Sequence, residues 1–197
     1  MTPPQPDPNH SPRVQQFRRW IGEHCSAGYS GSKLDRESKF VPYTALTEYF
    51  DDRRKLRWLI EALFPHSDDP LEADTVVDEG YLRVFATLVT IDRGAYIEEF
   101  VRHETLRDDK FPLESRPHDW PRTSERNDFW EDFKAAQWKF FPYTFGRNLS
   151  DKRISPKMIL PIIESEHLKD GGSSSIYKIK IHAEYDHLEV AHDPCQV

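Results

Sequence analysis

The stretch "LKDGGSSSIYKIKIH", from Leu168 to His182, holds the residues whose types and spacing could do chemistry. Gly171, Gly172, Ser173 and Ser174 lead into a segment that alternates as a strand does: Ile176, Lys178, Lys180 and His182 point one way, Tyr177, Ile179 and Ile181 the other. Glycine lets backbone N–H groups approach a phosphate closely, and serine hydroxyls add donors. A phosphate loop between two antiparallel strands reads G-x-G-x-x-G-x-V. With Ile176 at the final valine, Ser174 stands at the third glycine, Gly171 at the second and Lys169 at the first. Only the middle glycine is kept. The same residues also suit a hairpin with a flexible tip and no chemistry.

Other constellations favour structural readings. "DDRRKLRW" (51–58) is the densest basic run, and it reads as a solvated face opposite Leu56 and Leu59, with phosphate binding as the alternative. His182, His187 and His192 lie five apart, which suits neither one helical face nor the usual zinc spacings. No carboxylate pair stands beside a nucleophile or base, and there is no G-x-S-x-G, Walker loop or dinucleotide fingerprint. The aromatic run at 129–145, with Phe129, Trp130, Phe133, Trp138, Phe140, Phe141, Tyr143 and Phe145, could stack bases, but its interleaved basic residues are too sparse for that and it reads as core.

Composition narrows the class further. A net charge of -7 argues against a general nucleic-acid or anionic-membrane binder. Apolar residues are only 37%, yet aromatics reach 13%, and their large buried area makes a core attainable. No window approaches the roughly eighteen apolar residues of a membrane span, and the start of the chain has no signal-peptide pattern. Cys25 and Cys195 are the only cysteines, which fits a reducing intracellular compartment, cytoplasmic or nuclear.

The elements that must hold the loop are mostly helical. Residues 1–11 are proline-rich and read as a disordered tail. Ser11 with Pro12 starts a helix whose stripe is Val14, Phe17, Trp20 and Ile21. "SAGYSGSK" (26–33) reads as a loop, and "PYTALTEYF" (42–50) as a helix carrying Leu46, Tyr49 and Phe50. Asp51 or Asp52 caps a helix with Leu56, Leu59, Ile60 and Leu63 inward, stopped by Pro65. Val77, Tyr81, Val84, Phe85, Leu88 and Ile91 predict one long helix between Asp74 and Arg93, broken at Gly94. Ile97, Phe100 and Val101 resume it, as the second arm of a helical hairpin. Phe129, Trp130, Phe133 and Ala136 suit a helix, whereas "WKFFPYTF" reads as extended because Pro142 constrains Phe141. The expected organisation is therefore a mainly α domain over 12–145 with an aromatic-rich extended segment, a connector at 146–161, a short β-hairpin at 162–187 and a tail at 188–197. A hairpin's apolar face needs cover. Tyr177, Ile179 and Ile181 either dock on the aromatic segment, with "ILPII" as the bridge, or stay open to another strand.

The order of three segments carries a family resemblance: "YIEEFVRHETLRDDKFPL", then "FWEDFKAAQWKFFPYTF", then "ILPIIESEHLKDGGSSSIYKIKIH". Over residues 40 to 187 it is similar to the helical region before, and the first strands of, the catalytic domain of fungal protein-kinase-like proteins. The resemblance implies that Gly171, Gly172, Ser173 and Ser174 correspond to the loop over the nucleotide and Ile176 to the residue covering adenine, with the hairpin as the first two strands of a kinase N-lobe. The departures are equally definite. "HAEYDHLEVAHDPCQV" offers no V-A-I-K lysine, and no H-R-D or D-F-G appears, so the phosphate-holding cation, the base and the magnesium ligand are absent. The expectation is a non-catalytic accessory or regulatory region, with no cofactor on this chain, ATP and magnesium belonging only to a complete kinase. Its implied partner is a kinase-like lobe, in cis or in trans. Two alternatives are an N-terminal piece of a Ser/Thr protein kinase, if the chain continues past Val197, and a free-standing protein-interaction module.

Overall fold

Capping side chains start the helices that the apolar stripes foretell. In the computed structural model, which describes residues 7–31, 33–67, 71–121, 129–146, 154–172 and 174–188, Ser11 accepts a hydrogen bond from the Val14 N–H and opens α1 (Pro12–Glu23). Asp52 does the same for Arg54 at the start of α3 (Arg53–Leu63), whose Leu56, Leu59, Ile60 and Leu63 are all buried. Between them, α2 (Tyr43–Tyr49) buries Leu46. Residues 1–6 of the proline-rich tail lie outside the described residues. The remainder of that tail is ordered, against expectation. Asp7 caps a 3-10 turn at Pro8–His10, and Asn9 Oδ1 accepts from the Gly94 N–H at 3.3 Å.

The chain divides into two units, Met1–Cys25 with Phe40–Phe141, and Ser26–Lys39 with Pro142–Val197. The first is helical, and its centre corrects the single long helix expected over 74–93. The stripe is split into α4 (Ala73–Asp78) and α5 (Leu82–Thr90). Gly80 takes φ +79°, and its N–H and that of Tyr81 donate to the carbonyls of Val77 and Val76, the bonding of a glycine-ended helix. Asp92, at φ 59°, ends α5 in the same manner, so the stop precedes Gly94. Gly94 has a different duty, since a Cβ there would lie 2.7 Å from Leu63 Cδ1.

Helix α5 buries Leu82, Val84, Phe85, Ala86, Thr87, Leu88 and Val89, so it is apolar nearly all round and lies at the centre of this unit. Charges of the favourable sign hold both of its ends. At the N-terminus the buried Asp108 accepts from the Arg83 and Val84 N–H groups, each at 2.9 Å. At the C-terminus Arg18 of α1 donates twice to the Val89 carbonyl, at 2.8 and 2.6 Å, and pairs with Asp92. After α6 (Ile97–Val101), α7 (Phe129–Ala136) completes the unit with an aromatic cluster. Trp120 lies 5.0 Å from Phe133 and 4.8 Å from Trp130, and Phe133 lies 5.5 Å from Phe100. Phe129, Trp130, Phe133 and Trp138 are all buried, as a core reading requires.

"WKFFPYTF" is less extended than expected. Gln137–Lys139 form a 3-10 turn, and the Phe140 and Phe141 N–H groups both donate to the Gln137 carbonyl at 2.9 Å. The constraint of Pro142 reaches back only to Phe141. The Gln137 side chain is fully buried and donates to and accepts from the Leu113 backbone, both at 2.8 Å.

The second unit is built of small sheets. Residues 26–33, expected as a loop, hold β1 (Ser26–Ser30) and the start of β2 (Lys33–Phe40). β1 pairs antiparallel with β4 (Ile159–Leu160), Tyr29 opposite Leu160, so the expected connector also carries a strand. Tertiary pairing overrides a loop-like composition here. Gly31 is required by closeness, because a Cβ would lie 2.5 Å from the Ser155 carbonyl oxygen. β3 (Phe145–Gly146) pairs in parallel with β7 (Asp186–His187), and β5 (Ile162–Asp170) pairs antiparallel with β6 (Ser175–Ile181). Phe145, Leu160 and Ile162 form the small core, with Tyr29, Tyr143, Ile154, Ile181 and Leu188 packed against it. The architecture is thus mixed α and β, richer in helix than in strand, with small, mostly antiparallel sheets. No helix among the described residues is long and apolar enough to cross a membrane.

Candidate functional site

The hairpin forms where the alternation predicts it, and the register assigns its two faces. Lys180 stands opposite Glu164 and Lys178 opposite Glu166, while Ile179 faces Ser165 and Tyr177 faces His167. The first face is a ladder of opposite charges, closed by a Lys180–Glu164 ion pair at 2.6 Å. Such a face satisfies itself in water. The second is apolar, and it is covered only at its base. Ile181 packs on the cluster of Phe145, Leu160 and Ile162. Farther out, Ile179 is 39% exposed and Tyr177 41% exposed, with the His167 ring edge-on to Tyr177 at 5.2 Å. "ILPII" therefore does bridge the hairpin to the Tyr143–Phe145 part of the aromatic segment, but only for the inner half of the face.

At the tip, Gly171 and Ser174 are brought together. The Gly171 N–H donates to the Ser174 carbonyl at 2.6 Å and so closes the loop on itself. A Cβ on Gly172 would meet nothing within 4 Å, and Ser173 lies outside the described residues. Ile176 falls on the charged face beside Lys178 and is 43% exposed. One further residue shapes the loop. Asp170 accepts from the Ser175 hydroxyl at 2.7 Å and lies 2.9 Å from His167 Nε2. These two partners, Ser175 foremost, hold its carboxyl below the usual aspartate range. The loop thus carries a fixed negative charge at its root, while one of its backbone donors is taken internally. Both features oppose a phosphate in this loop geometry.

Sequence reasoning had no place for Asp170 in this arrangement. The signal available was the Asp-Gly step, a turn-former whose side chain bonds nearby groups. No protein-family model matches the chain. No curated protein and no solved structure matches it either. The likeness over residues 40 to 187 therefore rests on the sequence of this chain alone. Among the described residues no cluster of three or more His, Cys, Asp or Glu is arranged to hold a metal ion, and His192 and Cys195 lie outside them.

Proposed function

We propose that this chain is a non-catalytic accessory or regulatory region of a fungal protein-kinase-like protein, and that its β5–β6 hairpin docks into a kinase-like lobe. One observation carries the reading: an antiparallel pair with a glycine-serine tip, anchored at its base, whose outer apolar face at Tyr177 and Ile179 is uncovered among the described residues. A two-stranded sheet is marginal in water, and an apolar face of this kind is completed by a further strand or helix. On the opposite face Lys180 is paired with Glu164 and Lys178 stands opposite Glu166, so the partner meets the apolar side. The sequence holds no V-A-I-K, H-R-D or D-F-G motif, and the Asp170 carboxylate at the loop root opposes nucleotide binding.

The test reads the transcript beyond the Val197 codon and assays the isolated chain with radiolabelled ATP and magnesium. A V-A-I-K, H-R-D and D-F-G series downstream, with no phosphate transfer by the isolated chain, supports docking in cis. A stop codon together with a kinase-like protein in pull-downs supports docking in trans. A stop codon with only unrelated partners leaves a free-standing interaction module and overturns the proposal. Phosphate transfer by the isolated chain overturns it as well.

A further inference from the structure

The basic run "DDRRKLRW" has a feature that a solvated face does not explain. Trp58 projects from α3 with 45% of its surface exposed, on the side away from the buried Leu56, Leu59 and Ile60. Across from it, Arg13 of α1 sets its guanidinium 5.6 Å from the Trp58 ring centre and donates to the Trp58 carbonyl at 3.4 Å. Lys55, one turn back on α3, holds its ammonium 4.6 Å above the Tyr49 ring. A pocket of about 200 Å³ opens between them, lined by Arg13, Gln16, Tyr49, Lys55, Trp58 and Leu59.

We propose that this pocket, in the groove between α1 and α3, is a docking site for an acidic peptide segment that inserts one apolar side chain beside Trp58. Size argues for a peptide, since ligand pockets for whole small molecules run from about 300 to 1,000 Å³ and this one holds a single side chain. Charge argues for acid. Both ionised residues of the lining are cations, in a chain whose net charge is -7. Arg57 adds a further cation on α3, whereas the Arg54 guanidinium is already taken by Asp52, to which it donates at 2.8 and 2.9 Å. Stacking on aromatic rings fixes these cations while leaving donors free to meet a carboxylate. Lys55 makes no ion pair among the described residues, and the Arg13–Glu61 pair, at 3.3 Å, is half-exposed on both sides, so an incoming carboxylate exchanges with it at little cost. An exposed tryptophan framed by arginine and lysine has the composition of an interface anchor. This site is independent of the hairpin and of its proposed partner.

The probe is a seven-residue peptide with leucine at the centre and glutamate elsewhere, titrated into the ¹⁵N-labelled chain and followed by NMR. The expected result is saturable movement of the Trp58 indole signal and the Lys55 amide. Binding should weaken at least tenfold in Lys55→Glu and in Trp58→Ala, and weaken as salt rises. Trp58→Ala removes an exposed side chain, and an unchanged melting temperature verifies that this variant is folded. Equal binding of the matching lysine peptide overturns the proposal. So does the absence of movement at millimolar glutamate peptide, or movement that survives Lys55→Glu. Movement of the same signals by a single-stranded oligonucleotide but not by the peptide reassigns the groove to nucleic acid and equally overturns it.

Discussion

Replacing Asp108 with asparagine tests the account of the central helix through its dependence on pH. The carboxylate accepts from two N–H groups at the start of α5, each at 2.9 Å, and lies 3.8 Å from the Arg83 guanidinium. Burial nevertheless dominates and pushes its pKa up to about 6 from the ordinary 3.8, against the pull of Arg83 and Val84. The folded state therefore holds this proton more tightly than the unfolded chain does. Its contribution to stability is fully present below about pH 4 and is lost as the pH rises through about 6. At about 1.4 kcal/mol per pH unit, the gap corresponds to about 3 kcal/mol. Asp108→Asn cannot titrate. It also carries one oxygen where the carboxylate has two, so one N–H that the carboxylate accepts from loses its partner, at a cost of about 1–3 kcal/mol. Urea unfolding of both proteins at about pH 4 and pH 7, followed by circular dichroism, measures the difference. The wild-type advantage should shrink by about 3 kcal/mol at the higher pH. An advantage that grows with pH would mean that the two donors and Arg83 outweigh burial, and would refute the reasoning.

Three further outcomes follow from the same structure. Phe133 has no exposed surface and contacts Phe100, Phe111 and Trp120, so Phe133→Ala should cost about 3–5 kcal/mol in chemical denaturation, and an unchanged midpoint would remove the aromatic cluster from the core. Gly80→Ala places a Cβ at φ +79°, where space is open but the backbone is not favoured; it should cost about 1 kcal/mol, and a stabilised variant would contradict the break between α4 and α5. Titration calorimetry with magnesium and ATP should detect no binding tighter than roughly millimolar, about 4 kcal/mol, and a micromolar constant would contradict the closed, acid-rooted loop.

The helices that were legible carried their own punctuation. Ser11 with Pro12, and Asp52 with a four-residue stripe, announce α1 and α3 locally, and the structure agrees with both. The α4–α5 break was hidden because Val77, Tyr81 and Val84 keep helical phase across Gly80, and only the backbone of that glycine distinguishes a stop from a tolerated residue. The Asp108 cap was invisible for another reason. Its partners stand 24 and 25 residues away, beyond any local pattern. β1 was missed because Ser26, Ala27, Gly28 and Ser30 have loop composition, and its strand character comes from pairing with β4. At the candidate site the alternation of β6 and the glycine tip were readable. What escaped was the use of the donors: the Gly171 N–H is spent on Ser174, and Asp170 gathers Ser175 and His167 at the loop root. Hydrogen bonds of this kind depend on register and bulges, which a one-dimensional pattern does not fix.

The central claim is that the outer apolar face of the hairpin meets a kinase-like lobe, and a photo-cross-linker at position 177 tests it most directly. Tyr177 is 41% exposed on that face, so benzoylphenylalanine fits there without disturbing the base of the hairpin at Ile181. The chain carrying it is expressed in the organism it comes from, irradiated, and the cross-linked peptides are sequenced by mass spectrometry. The account predicts cross-links into a kinase-like sequence bearing the V-A-I-K lysine, on the same polypeptide or on a partner. Cross-links only to proteins without such a sequence, or none at all, would contradict it.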